Sequence, residues 1–68
     1  MRVKIYYKDE YKLYDESPNL DYIDVYRQLD SERDVCWVHI LEQEKLSYED
    51  VKLLNDNSNI KAWEVVRN

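Results

Sequence analysis

Cys36 is the only cysteine and His39 the only histidine of this chain, and they lie three residues apart. Side chains in a strand alternate between two faces, so this odd spacing places the thiol and the imidazole on opposite faces. A metal pair or a thiolate–imidazole pair within one strand is thereby excluded. Because no further cysteine or histidine can complete a zinc site, we expect no metal here.

Carboxylates are the other groups that could do chemistry, and the chain has 15 of them. They include three pairs of near neighbours, Asp21 and Asp24, Glu42 and Glu44, and Glu49 and Asp50. A glycosidase needs two carboxyl groups that converge across a cleft, whereas these pairs fall on solvated faces and at a helix start. The chain also has no glycine, which excludes a glycine-rich phosphate loop. We therefore expect no enzyme activity and no cofactor.

Length and composition indicate one small domain, residues 1–68. A lone cysteine forms no disulfide within the chain, and no apolar run approaches the ~20 residues of a membrane span. We expect a cytoplasmic protein, or one in the host cytoplasm if a phage encodes it.

The elements that position these side chains begin with the apolar stretch 34–41. As a strand it carries Cys36, Val38 and Ile40 on one face and Trp37 and His39 on the other, as expected of an interior strand. Residues 2–7 alternate between apolar and polar side chains and predict a half-buried strand. Residues 11–14 resume that alternation, which indicates a hairpin or a single long bent strand.

Residues 18–30 have two interpretations. Pro18 can occupy the first position of a helix, and Tyr22, Val25, Tyr26 and Leu29 then form one apolar stripe. The stretch Tyr22–Tyr26 also has strand character, because β-branched and aromatic residues dominate it. We favour the helix; the alternative is a strand over residues 20–29 that pairs with 35–41 across the turn 30–33.

The strongest local signal is Ser47, which can cap a helix over residues 48–55. A strand over residues 60–66 follows, and a strand–helix–strand unit suits a parallel pair. The predicted fold is α+β, a ββαβαβ sandwich with a mixed sheet and two helices on one face. If the strand alternative holds, only one helix remains.

Charge is unevenly distributed along the chain. Residues 15–34 contain seven acidic residues against Arg27 and Arg33, a local charge of −5. With seven tyrosines and two tryptophans in the chain, such a segment can engage a basic partner surface, including one that normally binds nucleic acid. Short acidic chains of this kind are similar in style to accessory proteins of phages and mobile elements, although no motif supports that similarity.

We therefore expect a small protein-binding module that acts as a regulator, inhibitor or adaptor of a larger protein. If helices cover the Cys36 face, then Trp37 and His39 belong to an open apolar patch, the kind that marks an interface. The residues expected to contact a partner are Asp15, Glu16, Asp21, Asp24, Tyr22, Tyr26, Trp37, His39, Tyr6 and Tyr14.

Two other functions remain open. A small core with many half-exposed aromatic residues favours a homodimer, formed through an edge strand or through the hairpin face. The tyrosines and lysines of residues 1–14 could instead stack bases and contact phosphates. Because the protein is acidic overall, its electrostatic attraction to a polyanion should be weak, and direct nucleic-acid binding is the less favoured function.

Overall fold

The structure is a computed structural model that describes residues 1–9 and 18–67. Within these ranges the elements are β1 (Arg2–Tyr7), β2 (Asp24–Asp30), β3 (Asp34–Ile40), α1 (Tyr48–Asp56) and β4 (Ile60–Val66). The four strands form one sheet in the order β2-β3-β1-β4, and all neighbouring strands are antiparallel. The α+β class is confirmed for the described residues, whereas the ββαβαβ layout is not.

Strands 2–7, 35–41 and 60–66 and helix 48–55 were predicted close to their observed positions. The strand predicted at 11–14 lies outside the described residues. The mixed sheet is wrong, because β3 and β4 are not neighbours. β1 lies between them and pairs with both, so that Ile5 is opposite Trp37 on one side and Trp63 on the other. The two strands joined by α1 therefore run parallel but never touch edge to edge.

The helix predicted at 18–30 is wrong, and the alternative strand is confirmed as β2. Residues 24–30 pair with residues 40–34 of β3 in an unbroken antiparallel register. The β-branched and aromatic residues of this stretch fit a pleated surface better than a helix, and β3 supplies the backbone partners. The described part of the chain therefore contains one helix instead of two.

The turn between β2 and β3 comprises residues 31–33 and closes at the pair Asp30–Asp34. Asp34 has φ 69°, in the left-handed region. Without glycine in the sequence, aspartate is among the residues that tolerate this conformation best. The Asp30 carboxylate accepts a hydrogen bond of 2.9 Å from the backbone N–H of Glu32 and fixes the start of the turn.

Helix α1 begins as the sequence predicts. The Ser47 hydroxyl accepts a hydrogen bond of 3.1 Å from the backbone N–H of Asp50, which satisfies one of the unpaired donors of the first turn. Leu54 is the buried residue of this helix. No helix in the described ranges has the length and apolar character that a membrane crossing requires.

We call the side of the sheet that α1 covers the helix face. Its buried cluster contains side chains from β1, from the helix and from the segments that flank β2 and β3, namely Val3, Ile5, Tyr7, Leu20, Leu41 and Leu54. His39 lies opposite Val3, and Trp37 lies opposite Ile5, so both belong to this face. The helix therefore covers the face that we expected to be open.

The opposite side, which we call the Tyr6 face, holds a second buried cluster of Tyr6, Cys36 and Val38, with Ala62 packed against it. Cys36 and His39 thus lie on opposite faces, as their spacing predicts. Burial raises the pKa of the Cys36 thiol, so that Cys36 is a small core residue and not a nucleophile.

Candidate protein-binding surface

Tyr6 was predicted to contact a partner, but its side chain is only 2% exposed. The phenol extends from β1 across β3, donates a hydrogen bond to the carboxylate of Asp30, and lies 3.4 Å from the carboxylate of Glu64. The guanidinium of Arg33 lies 4.9 Å from the centre of its ring. Tyr6 therefore joins β1 to the β2–β3 turn and covers Cys36, which is a structural role.

Asp30 is the carboxylate on which these contacts converge. The Lys4 ammonium lies 3.9 Å from the same carboxylate. Hydrogen bonds from Tyr6 and from the backbone of Glu32 hold the pKa of Asp30 below its ordinary value, while burial and the Asp30 hydrogen bond raise the pKa of Tyr6. Because its charge is engaged within the fold, Asp30 contributes little to any acidic docking surface.

The predicted patch of Trp37 and His39 is not open. His39 is 1% exposed, and its Nε2 forms a hydrogen bond of 3.1 Å with the Tyr7 hydroxyl. The ring of Tyr22 packs edge-on against the imidazole, with 5.3 Å between centroids. Burial lowers the pKa of His39 to about 4, so the imidazole is neutral at pH 7. Trp37 is half-buried against the helix-face core.

Exposed apolar side chains gather instead on β2 and on the three residues before it. Leu29 is 77% exposed and Ile23 is 61% exposed, although both are large aliphatic residues. Tyr22 and Tyr26, two residues predicted to contact a partner, are also exposed. Together with the exposed acids Asp21 and Asp24, these side chains lie on both faces of this sheet edge. We call them the β2 surface: Asp21, Tyr22, Ile23, Asp24, Tyr26 and Leu29.

Four of the predicted contact residues lie on or just before β2: Asp21, Tyr22, Asp24 and Tyr26. Tyr22 packs on His39 at the helix face, whereas Tyr26 lies opposite Val38 on the Tyr6 face. Tyr6, Trp37 and His39 lie in the two cores on either side of the sheet. Asp15, Glu16 and Tyr14 lie outside the described residues. The sequence analysis missed Ile23 and Leu29, because both were assigned to a helix. The alternative of a strand over residues 20–29 was the signal that could have found them.

An open cleft of about 350 Å³ lies where β1 ends and β3 begins. Three cationic side chains line it together with two tyrosines, a carboxylate and a valine: Lys8, Arg33, Lys61, Tyr6, Tyr7, Asp34 and Val35. Tyr6 and Lys8, which the sequence linked to nucleic acid, therefore share this cleft. Its positive charges stand out on a protein whose net charge is −5.

The chain matches no protein-family model, and neither a search of curated proteins nor a search of solved structures found a match.

Proposed function

We propose that this protein is a small non-enzymatic binding module, which acts as a regulator, inhibitor or adaptor by docking the β2 surface onto a larger protein. The observation that carries the proposal is the exposure of Ile23 and Leu29 beside two tyrosines on an edge strand. Exposed aliphatic and aromatic side chains rimmed by charge are typical of protein interfaces.

The acidic residues make the proposed docking surface negatively charged. Asp21 and Asp24 are exposed at the start of β2 and next to Tyr22 and Ile23. Opposite charge on the partner would raise the association rate and orient the complex. A phage or mobile-element protein that mimics nucleic acid would use such charges, and among the described residues Asp21 and Asp24 would carry that role.

Affinity capture from a lysate of the native host, with mass spectrometry, tests the proposal. Asp21→Lys/Asp24→Lys should capture the partner of the wild-type protein much more weakly. Glu49→Lys/Asp56→Lys is the matched control, because it reverses two exposed acids of α1 and changes the net charge equally. Equal capture by both double variants, or equal loss in both, would contradict a docking role for the β2 surface.

A second function rests on the cationic cleft. Lys8, Arg33 and Lys61 line this cleft and could contact the phosphates of a nucleic acid. Tyr6 and Tyr7 border the same cleft but are buried, so they offer little ring surface for base stacking. Titration with single-stranded and double-stranded oligonucleotides at low salt measures this binding. Because electrostatic attraction is strongest at low salt, absence of binding there would eliminate this function.

A further inference from the structure

We propose that the cationic cleft is a binding site for a small phosphate monoester that carries hydroxyl groups, such as a sugar phosphate. Lys8, Arg33 and Lys61 would hold the phosphate, and the carboxylate of Asp34 would accept a hydrogen bond from a hydroxyl group. This inference goes beyond the proposed function, because the cleft and the β2 surface share no residue.

Lys61 lines the cleft because of an irregularity in the pairing of β4. Two consecutive residues of β1 pair with Ala62 and Ile60, so the register skips Lys61, which is the extra residue of a β-bulge. Ile60 packs on the helix-face core and Ala62 on the Tyr6 face, whereas Lys61 between them is exposed. Bulges often lie beside functional sites, where they redirect a side chain. This bulge places the Lys61 side chain at the cleft.

Arg33 belongs to the β2–β3 turn and is held at the cleft by an aromatic contact. Its guanidinium lies 4.9 Å from the centre of the Tyr6 ring, and the Tyr6 hydroxyl is itself fixed by its hydrogen bond to Asp30. A guanidinium that contacts a ring through one face keeps the N–H groups in its plane for a phosphate. The contact therefore reduces the side-chain entropy that Arg33 loses when it binds a ligand.

Lys8 follows the last residue of β1, and its backbone is also fixed. Its N–H donates a hydrogen bond of 2.8 Å to the carbonyl of Asn59, which extends the contact between β1 and β4 past the end of the strand. Within residues 1–9 and 18–67, the structure gives no ion pair to Lys8, Arg33 or Lys61. The positive charges of the cleft are therefore available to an anion.

The charge of the cleft matches that of a phosphate monoester. Three cations and one carboxylate line it, an excess of two positive charges, and a phosphate monoester carries about −1.5 to −2 at pH 7. The chain as a whole has a net charge of −5. Attraction to the cleft is screened beyond about 8 Å at physiological ionic strength. A small ligand is therefore attracted by the cations, whereas a nucleic-acid strand would also extend over acidic surface.

Asp34 and the two tyrosines indicate which kind of molecule carries the phosphate. Tyr6 and Tyr7 are 2% and 7% exposed, so they form a wall of the cleft and offer little ring surface to a base. The exposed carboxylate of Asp34 accepts hydrogen bonds, and a hydroxyl group supplies the donor. The volume of about 350 Å³ is at the low end for small-molecule sites. A sugar phosphate combines the dianion and the hydroxyl donors in a molecule of this size.

Calorimetric titration at low salt with ribose 5-phosphate, inorganic phosphate and ribose tests the site. Ribose 5-phosphate should bind, and ribose should not, because ribose lacks the dianion. Arg33→Gln and Lys61→Gln should each weaken the binding of ribose 5-phosphate about tenfold or more, the loss expected for a charge-assisted hydrogen bond. Circular dichroism should show both variants folded, since both side chains are exposed.

Lys52→Gln is the matched control for these two variants. It removes an exposed lysine of α1 that does not line the cleft and changes the net charge equally. Lys52→Gln should bind ribose 5-phosphate as the wild-type protein does. No binding of ribose 5-phosphate by the wild-type protein, or an equal loss in Lys52→Gln, would overturn the proposal.

Asp34→Gly tests the hydroxyl contact. Glycine adopts the left-handed backbone of residue 34 without a steric penalty, so the cleft keeps its backbone and loses the carboxylate. Both phosphate ligands gain from the removal of a negative charge, but ribose 5-phosphate also loses a hydrogen bond. Its preference over inorganic phosphate should therefore fall about threefold or more. An unchanged preference would overturn the assignment to a sugar phosphate.

A single-stranded oligonucleotide without a terminal phosphate separates this site from nucleic-acid binding. We expect the oligonucleotide to bind more weakly than ribose 5-phosphate. Tighter binding that Lys61→Gln abolishes would assign the cleft to nucleic acid and overturn the proposal.

The proposed function and this inference fail independently. Lys61→Gln leaves the β2 surface intact, so it should capture the larger protein partner as the wild-type protein does. A protein that binds ribose 5-phosphate but captures no partner retains this site and loses the proposed function. Capture of a partner without binding of ribose 5-phosphate has the opposite meaning.

Discussion

The two edges of the sheet differ in how the rest of the protein supports them. β4 pairs with β1, contacts α1, and is further fixed by a hydrogen bond of 3.0 Å from the Trp63 indole N–H to the Asn55 side chain. β2 pairs with β3, and its turn is held by Asp30 through Tyr6 and Lys4. Its outward side chains remain exposed. The buried side chains lie mainly on β1 and β3, with Leu54 from α1, whereas exposed apolar side chains lie on and just before β2.

The largest expected loss of stability comes from a substitution in α1. Leu54 is 1% exposed between α1 and the sheet, so Leu54→Ala removes buried methyl groups and leaves a cavity. We expect the free energy of unfolding to fall by about 2–5 kcal/mol, which could unfold a domain of this size. Urea denaturation measures the change. A loss below that range would show that the packing of α1 on the sheet contributes little to stability.

Acid should weaken the connection between β2 and the core, because Tyr22 packs on His39. The pKa of His39 is lowered to about 4 in the folded protein, so the unfolded chain binds the proton more tightly. Stability should be complete above pH 6.5, fall between pH 6.5 and 4, and change by about 3 kcal/mol in total. The single histidine resonance in proton NMR reports this pKa directly. A midpoint near 6.5 would contradict the burial of His39.

A smaller effect is expected at the β2–β3 turn. Asp34 has φ 69°, a conformation that glycine adopts without a steric penalty and alanine does not. Asp34→Ala should lower the free energy of unfolding by up to about 1 kcal/mol, whereas Asp34→Gly should raise it. In thermal unfolding, the melting temperature should fall for Asp34→Ala and rise for Asp34→Gly. Equal shifts in one direction would argue against the left-handed backbone.

The smallest change in stability is expected on the exposed edge itself. Leu29 is 77% exposed, so Leu29→Lys should change the free energy of unfolding of the monomer by no more than about 0.5 kcal/mol. Urea denaturation at low protein concentration measures this value. A loss as large as that of Leu54→Ala would mean that the β2 edge is part of the core and not a surface.

Local sequence signals predicted most of the elements. Alternation identified β1, β3 and β4, the Ser47 cap identified the start of α1, and the odd spacing of Cys36 and His39 placed them on opposite faces. These features depend on neighbouring residues, so they can be read from the sequence.

What the sequence did not reveal depends on contacts between distant residues. The position of β1 between β3 and β4 follows from two long-range pairings that no local pattern encodes. The face that α1 covers depends on the same strand order, since both faces of β3 are apolar. For β2, helix and strand patterns competed, and pairing with β3 decided between them. The exposure of Ile23 and Leu29 was not foreseen for that reason.

Amide hydrogen exchange by NMR tests the difference between the edges most directly. We expect the strand amides of β2 to exchange faster than those of β4, because α1 and the hydrogen bond from Trp63 to Asn55 support β4. Exchange on β4 that is as fast as on β2, or faster, would contradict the account.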